Sequence, residues 1–400
     1  MVSRGGLHPM TVGLVIAFLA VAVWMFLMLG RGGFWLAREH ERRNLSCCVD
    51  ADRASERWPS VIAVVPARNE ADMLPRSLAS LLAQDYRGLL SIIVVDDQSS
   101  DATADVARRF AEDGRREVVT LGGLPLPQGW TGKVWALEQG VALANSRVAP
   151  PHFLLFTDAD VCYAPDSLCR LVRRARTNAL VMTSQMAMLN CDSLAERSLV
   201  PAFVFFFQML YPFAWVNDST AATAAAAGGS MLVERQALER AGGIAAIRGA
   251  LIDDCALARR LKAQGPIWLG LTDRVISLRS YAQIGDIRRM VARSAYAQLR
   301  YSPLLLAATV AGMIVTYLAA PIIAILDGFP ANALAGVAWA LMAIAFQPTL
   351  HQYRLSPLWG AALPLIAAAY VAFTIDSAYQ HWRGRGGWWK GRVQAMPAKR

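Results

Sequence analysis

The chain has 400 residues, enough for two or three domains, and 55% hydrophobic against 18% charged residues indicates a soluble part combined with membrane segments. The net charge is +10, which in so hydrophobic a chain indicates contact with an anionic membrane face and disfavours nucleic acid as a partner. The six cysteines include no C-x-x-C pair, which argues against a zinc site or a disulfide framework.

The first predicted element is a membrane anchor. Residues 11–30 carry no charge, and a helix of that length spans about 30 Å, the thickness of a hydrocarbon core. A cleaved signal peptide would have a shorter apolar stretch and a cleavage site of small residues. Arginines at positions 31, 38, 42 and 43 follow instead, which places the next part of the chain in the cytoplasm. We assign residues 1–31 to the anchor and 32–58 to a basic juxtamembrane linker.

Residues 59–280 are predicted to form an α/β domain with a Rossmann-like, mostly parallel sheet. The segments "SVIAVVPA" and "LLSIIVVDD" are short, apolar and rich in β-branched residues, and each precedes a helical pattern. "FLLFTDAD" repeats this arrangement. Ligands of such sheets bind at the carboxyl ends of strands, where the polar residues of these segments lie.

The remainder of the chain is predicted to contact the membrane. Residues 281–301 are basic and amphipathic, which favours an interface helix, although a solvated helix with one apolar side has the same pattern. Residues 302–376 contain about three candidate transmembrane helices, and 377–400 form a basic tail. Three spans would place the tail opposite the domain, whereas its Lys and Arg residues favour the cytoplasm. The apolar segment 201–216 is either interfacial or a buried core helix.

Two acids, Asp158 and Asp160, end the strand "FLLFT". In an extended segment their side chains point the same way, and two such carboxylates need a cation between them. Mg²⁺ or Mn²⁺ meets that need, because these ions bind one or two carboxylates together with substrate phosphates. The alternative is an Asp-rich turn without a ligand.

Polar residues also follow the other strands. Pro66 and Glu70 follow the first strand, and Asp96 and Asp97 follow the second. Helix capping accounts for some acids and hydroxyls of this second cluster, but not for all of them. Lys133 lies at a predicted helix start, where a lysine and backbone N–H groups can hold a diphosphate; the alternative is a solvated surface lysine.

Five motifs in order resemble those of the family 2 glycosyltransferases of the A-type fold. They are "VVPARNEADMLPRSLASLLAQDY", "IIVVDDQSSDATADVA", "GKVWALEQG", "FTDADV" and "IDDCALARRL". The wider layout, with its anchor and its multi-span C-terminus ending in "WKGR", resembles the hopanoid-biosynthesis-associated membrane branch. The resemblance implies a nucleotide-sugar donor, expected to be UDP-linked, a divalent cation, and inversion at the anomeric carbon.

The resemblance also implies roles for individual residues. Asp254 takes the position of the catalytic base, beside Asp253, although acids at a helix start are also favoured by the helix dipole. The motif Gln-x-x-Arg-Trp is reduced to Arg293, expected to neutralise the leaving diphosphate, which favours transfer of one sugar over processive synthesis. The implied donor residues are Pro66, Ala67, Glu70, Asp96, Asp97, Lys133 and Asp158, the metal ligands Asp158 and Asp160, and the acceptor-side residues Gly228, Gly229 and Ser230.

These expectations describe an enzyme of a bacterial-type cytoplasmic membrane, with its catalytic domain in the cytoplasm, that moves one sugar to a lipid hydroxyl, such as that of a hopanoid. A polyisoprenyl-phosphate or polysaccharide glycosyltransferase is the alternative enzyme. A catalytically inactive membrane scaffold is the non-enzymatic alternative, and intact acidic pairs argue against it.

Overall fold

The structure is a computed structural model that describes residues 9–42, 57–112, 114–390 and 392–393. It divides into two compact units. Unit 1 comprises Met1–Arg38, Cys191–Pro212 and Tyr281–Gly386, and unit 2 comprises Glu39–Asn190, Phe213–Ser280 and Gly387–Arg400, in each case as far as these ranges are described.

Helices and strands alternate through much of the chain. The α-helices are Pro9–Leu29 (α1), Leu74–Leu82 (α2), Thr103–Ala111 (α3), Gly132–Asn145 (α4), Ser167–Thr177 (α5), Leu194–Leu210 (α6), Phe213–Asn217 (α7), Arg235–Arg240 (α8), Asp253–Lys262 (α9), Ile284–Ala292 (α10), Ala295–Gln298 (α11), Pro303–Met313 (α12), Ala319–Leu326 (α13), Ala331–Gln352 (α14) and Leu363–Trp382 (α15). The strands are Val61–Ala67 (β1), Leu90–Asp96 (β2), Val118–Gly122 (β3), Phe153–Thr157 (β4), Val161–Tyr163 (β5), Met182–Met188 (β6), Ser230–Glu234 (β7), Ile267–Ser277 (β8), Trp388–Trp389 (β9) and Arg392–Val393 (β10).

Unit 2 is built on one eight-stranded sheet of order β3-β2-β1-β4-β7-β6-β8-β5. Strands β3, β2, β1 and β4 are parallel, as the βαβ pattern predicted, whereas β7 runs antiparallel to both of its neighbours. β6 pairs parallel with β8, and β5 closes the far edge antiparallel to it. The predicted α/β fold with a mostly parallel mixed sheet is confirmed.

Helix α4 packs closely on the sheet because it carries a glycine at the contact. A Cβ atom on Gly140 would lie 2.4 Å from Cγ1 of Val64 in β1, a distance that no side chain tolerates without movement. β1 itself is buried along its whole length, so the helix cannot back away without opening the core. This contact fixes the first turn of α4, and therefore Lys133, relative to the sheet edge.

The segment predicted as a juxtamembrane linker is partly built into unit 2. Glu39 O accepts a hydrogen bond from Leu271 N, and Glu41 N donates to Leu271 O. The Glu41 side chain is buried, and Gln185 Nε2 donates to its Oε2 at 2.9 Å. Burial raises the pKa of Glu41. The hydrogen bond from Thr272 and the charges of two arginines lower it, but burial is the larger effect. Residues 39–42 therefore belong to the folded unit, while 43–56 lie outside the described residues.

Within unit 1, three helices of the described chain are long and apolar enough to cross a membrane. They cover Val12–Leu29, Pro303–Leu326 and Ala331–Gln352. Two of them thus follow the α/β domain in sequence, where about three were predicted. The third predicted segment forms α15, which contains Asp376 and is outside that group.

Two further predictions concern apolar faces in unit 1. Helix α6 has the packing of a core helix, because Phe205 and Phe206 are buried and Phe205 packs on Phe346 of α14. The amphipathic segment forms α10 and α11 rather than one helix. Ile287 and Val291 of α10 are buried inside the unit, whereas Ile284 is exposed, and contact of this segment with a membrane surface stays a prediction.

Candidate active site

Polar residues of unit 2 gather at the carboxyl ends of the parallel strands. β1 and β2 run in register, so that Ala67 lies opposite Asp96 where both strands end. β4 lies on the other side of β1 and ends at Thr157, immediately before Asp158. Parallel strands present their carboxyl ends at one sheet edge, so the predicted donor residues of all three strands lie along the same edge.

Asp158 is held by Lys133 from the first turn of α4. Lys133 Nζ lies 2.7 Å from Asp158 Oδ1 and 3.7 Å from Asp253 Oδ2. Burial favours the neutral amine, but Asp158 and Asp253 outweigh it and raise the pKa of Lys133. Lys133 is thus a charged residue paired with carboxylates and not a solvated surface lysine, and its binding to a diphosphate stays a prediction.

Asp160 has a different cationic partner. Arg279 Nε donates to Asp160 Oδ2 at 2.6 Å, and Arg279 Nη2 donates to Glu70 Oε1 at 2.7 Å. The chain does not stay extended through the two aspartates as expected, because residues 159–160 form a turn between β4 and β5. Each carboxylate is therefore neutralised separately.

Glu70 is buried and binds a second cation from the end of the chain. Lys390, in the turn between β9 and β10, forms an ion pair with Glu70 Oε1, and its Nζ also donates to Asn69 O. Arg68 Nε donates to Lys390 O at 3.1 Å. Burial raises the pKa of Glu70, and Arg279 and Lys390 oppose that shift. The C-terminal hairpin is thereby anchored beside β1.

The acidic pair Asp253 and Asp254 begins helix α9, as the sequence predicted. Asp254 Oδ2 accepts a hydrogen bond from Gly228 N at 3.0 Å, and Oδ1 accepts one from Cys255 N at 2.7 Å. Burial, followed by the charge of Asp253, raises the pKa of Asp254 to about 6. Asp254 is therefore an oriented carboxylate that is deprotonated at neutral pH and takes up a proton just below it.

A small cavity connects these groups. Its volume is about 10 Å³, roughly that of one water molecule. The residues lining it include Pro66, Lys133, Asp158, Gly228, Asp253 and Asp254. Residues from five separate parts of the sequence thus meet at this cavity. They come from β1, the start of α4, the turn after β4, the loop before β7 and the start of α9.

The remaining predicted residues lie around this point or away from it. Asp97 is fully buried and its N–H donates to Ala67 O, while Asp96 Oδ1 accepts from Ser99 N. Gly229 and the buried Ser230 lead into β7, and a Cβ on Gly229 would lie 3.8 Å from Asp158 Oδ2. Arg293 follows α10 and belongs to unit 1, and its role toward the leaving diphosphate stays a prediction.

Sequence reasoning missed two cations of the site, Arg279 and Lys390. Arg279 follows β8 without any motif around it that was linked to the donor. Lys390 belongs to the "WKGR" stretch, which resembles the end of the C-terminus in the membrane branch of the family. This resemblance could have marked Lys390 as a candidate site residue.

The carboxylates fit a divalent ion that takes its other ligands from phosphates. Among the described residues, no group of three or more His, Cys, Asp or Glu could hold a metal by itself. Lys133 contacts Oδ1 of Asp158, and Arg279 contacts Oδ2 of Asp160. Mg²⁺ and Mn²⁺ are often held by one or two carboxylates plus substrate phosphates, so this donor set is sufficient.

The fold resembles that of a solved glycosyltransferase over nearly the whole chain. The mannosyltransferase PcManGT from Pyrobaculum calidifontis, solved in complex with GDP-Man and Mn²⁺, superimposes with a TM-score of 0.59. The match covers 93% of this chain and 99% of that one at 20% sequence identity. At this identity the likeness establishes the shared fold.

Curated relatives match over shorter segments. An N-acetylglucosaminyltransferase of Mesorhizobium japonicum is 35% identical over 130 residues, which are 32% of this chain and 28% of that protein. The 4,4'-diaponeurosporenoate glycosyltransferase of Staphylococcus haemolyticus is 35% identical over 112 residues, 28% of this chain and 27% of that protein. The matched segments thus span less than a third of either relative.

Family profiles cover the chain more completely. Residues 62–240 match the family described as glycosyl transferase family 2. Residues 153–374 match glycosyl transferase family group 2, and this match alone exceeds half of the chain. The two matches together contain both aspartates of the turn after β4, the acidic start of α9 and the two apolar helices that follow. The chain belongs to the family 2 glycosyltransferases.

Proposed function

We propose that this protein is an inverting glycosyltransferase that transfers one sugar from a nucleotide sugar to the hydroxyl of a lipid. The observation that carries the proposal is Asp254. It is a half-buried, doubly hydrogen-bonded carboxylate with a pKa of about 6, and it lines the same cavity as Asp158 and Lys133. Such a group has the protonation state and the orientation that a general base needs at neutral pH.

In this mechanism Asp254 removes the proton of the acceptor hydroxyl. The hydroxyl oxygen forms a bond to the anomeric carbon while the bond from that carbon to the diphosphate breaks, and the diphosphate leaves with the electron pair. The N–H groups of Gly228 and Cys255 each bind one Asp254 oxygen and so fix the direction in which the base points. A single displacement of this kind inverts the anomeric centre.

The leaving diphosphate requires positive charge. Asp158 and Asp160 would hold Mg²⁺ or Mn²⁺, which supplies electrostatic stabilisation to the departing phosphates. Lys133 supplies a fixed charge from the start of α4, where backbone N–H groups also favour an anion. PcManGT, which shares the fold, was solved with GDP-Man and Mn²⁺, and this supports a nucleotide sugar and a divalent ion here.

The ends of β1 and β2 are the proposed nucleoside side of the site. Pro66 and Ala67 end β1, and the buried Asp97 donates its N–H to Ala67 O. A carboxylate at such a strand end can accept hydrogen bonds from a base. The relatives named N-acetylglucosaminyltransferases support N-acetylglucosamine as one sugar to test.

The proposed acceptor is a lipid because the chain carries helices suited to a membrane. Three helices are long and apolar enough to span it. We propose that they place the enzyme in a cytoplasmic membrane with its catalytic unit on the cytoplasmic side. A hopanoid is the acceptor that the sequence resemblance suggests. The relationship to a glycosyltransferase named for 4,4'-diaponeurosporenoate supports a small acceptor.

The polysaccharide alternative has one observation in its favour. A succinoglycan biosynthesis protein of Rhizobium meliloti is 33% identical over 149 residues, 36% of this chain and 38% of that protein. The product distinguishes the two functions, since a lipid glycosyltransferase adds one sugar and a polymerase gives a ladder of sizes.

The test is lipid extraction from cells with and without the gene, followed by mass spectrometry. We expect a lipid whose mass exceeds that of its precursor by one sugar residue, only in cells with the gene. The purified protein should then form it from UDP-glucose, UDP-N-acetylglucosamine or GDP-mannose, and Asp160→Ala should lose this activity. A product ladder would favour the polysaccharide function, and full activity of Asp160→Ala with metal present would exclude the metal assignment.

A further inference from the structure

Arg279 joins two carboxylates that the proposed function assigns to donor binding. Its Nε lies 2.6 Å from Asp160 Oδ2, and its Nη2 lies 2.7 Å from Glu70 Oε1. Both acids are buried, with less than a tenth of each residue exposed. A guanidinium on Asp160 competes with a divalent ion for the same carboxylate, because like charges repel strongly in a partly buried site.

Lys133 creates the same competition at the other aspartate. Its Nζ lies 2.7 Å from Asp158 Oδ1. Beside this ion pair the cavity has room for about one water molecule. A diphosphate with its metal is far larger than this cavity, and separation of Lys133 from Asp158 would free Asp158 Oδ1 for the metal.

A donor that carries its own metal adds no net charge to the cluster. Four carboxylates (Glu70, Asp158, Asp160 and Asp253) contact three cations (Lys133, Arg279 and Lys390), so the cluster already has an excess of negative charge. Each phosphate of a nucleotide sugar carries one negative charge, so a divalent ion and the diphosphate cancel one another. The donor can therefore enter without changing the net charge of the cluster, provided that every ion finds a new partner.

We propose that donor binding exchanges ion pairs: Lys133 and Arg279 leave Asp158 and Asp160 for the diphosphate oxygens as the two carboxylates bind the divalent ion. This inference rests on the proposed function. Arginine suits the role, since its planar fork of N–H donors matches phosphate oxygens as well as carboxylates.

The C-terminal hairpin supplies a cation that stays on Glu70 during the exchange. If Arg279 turns to the diphosphate, Glu70 loses one of its cations, and a buried carboxylate without a partner is costly. Lys390 remains on Glu70, and the hydrogen bond from Arg68 Nε to Lys390 O keeps its backbone in place. This explains why Glu70 binds two cations when one would neutralise it.

The exchange predicts effects of opposite sign for Arg279→Gln. With MnCl₂ alone, the variant should bind Mn²⁺ about tenfold more tightly than the wild type, because the cation competing for Asp160 is gone. With Mn²⁺ and UDP or GDP, it should bind the nucleotide about tenfold more weakly, because a charged phosphate partner is gone. Isothermal titration calorimetry of the full-length protein in detergent measures both dissociation constants.

Matched variants separate this exchange from other effects. Arg147→Gln removes an equal charge from the ion pair with Glu117, away from the site, and should change neither constant. Arg279→Lys keeps the charge and should leave binding of Mn²⁺ alone near the wild-type value. Lys390→Gln should weaken only nucleotide binding, and it tests the proposal independently if Arg279→Gln does not fold.

Two outcomes overturn the inference, and they are distinguishable. If the wild type binds UDP or GDP with Mn²⁺, but Arg279→Gln and Lys390→Gln shift both constants in the same direction or shift neither, the exchange is wrong and the proposed function stands. If the wild type binds neither nucleotide with Mn²⁺, the donor site itself is wrong, and the exchange is wrong with it.

Discussion

Gly228 and Asp254 are joined by a hydrogen bond of 3.0 Å from the glycine N–H to Oδ2 of the carboxylate. The contact links the strand-end loop before β7 to the first turn of α9, and a side chain at this position would be tightly confined. A Cβ on Gly228 would lie 3.2 Å from Lys133 Nζ and 3.3 Å from Asp254 Oδ2. The glycine thus lets backbone reach the proposed base and the proposed diphosphate cation together.

Replacing Asp254 by Asn should reduce sugar transfer by about 10²- to 10⁴-fold, because the amide cannot take the acceptor proton. The amide oxygen can still accept a hydrogen bond from Gly228 N, so the protein should remain folded. Transfer from the active nucleotide sugar measures the loss, and a thermal unfolding curve checks the fold. Activity within threefold of the wild type would remove Asp254 from the base role.

The rate should fall as the pH falls through about 6, where Asp254 takes up its proton. Its pKa is raised, so the base is fully deprotonated above that value and progressively protonated below it. Asp253→Asn removes the neighbouring charge that raises this pKa, so the acid limb should move to lower pH. The pH dependence of kcat/KM for both proteins tests this, and an acid limb that stays in place would assign it to another group.

Gly228→Ala should lower activity by about tenfold with little loss of stability, because the added methyl must push Lys133 or Asp254 by a few tenths of an ångström. Gly312→Ala is the control, since a Cβ there meets nothing within 4 Å. Gly228→Ala should have a lower initial rate than Gly312→Ala, whereas the two variants should have the same unfolding midpoint. Equal rates would mean that Lys133 and Asp254 tolerate displacement.

The parts of the site that follow strands and helix starts could be predicted from the sequence. Asp158, Lys133 and Asp254 all stand beside such ends, and the local pattern locates those ends without tertiary information. The partners of Asp160 and Glu70 could not be predicted in the same way. Arg279 is 119 residues from Asp160 in sequence, and Lys390 is 320 residues from Glu70, so only the folded chain brings them together.

The surface that covers the apolar face of an amphipathic helix also could not be predicted from the sequence. The apolar side of α10 packs inside unit 1 through Ile287 and Val291, although its pattern equally suits a bilayer surface. Hydropathy reports that a face is buried and not what buries it. The expected extended geometry of Asp158 and Asp160 was wrong for a related reason. The sequence pattern suggested that the strand continues through both aspartates, whereas the chain turns after β4.

The contact between Lys390 and Glu70 predicts the membrane topology of the C-terminus. Glu70 lies at the end of β1, so the tail must be on the same side of the membrane as the catalytic unit. The chain between Ser280 and Gly387 then crosses an even number of times. The spans Pro303–Leu326 and Ala331–Gln352 satisfy this, and a crossing by α15 would violate it. Two spans also agree with the basic character of the tail.

Cysteine labelling in intact cells tests this topology, with the native cysteines replaced by serine. A cysteine at Gly328, in the turn between the two spans, should react with a membrane-impermeant maleimide from outside. A cysteine at Arg385, after α15, should react only once the cells are permeabilised, because the proposed topology keeps α15 on the cytoplasmic side with the catalytic unit. Labelling of Arg385→Cys in intact cells would mean that α15 crosses the bilayer. The ion pair between Lys390 and Glu70 could then not form in the membrane-bound enzyme.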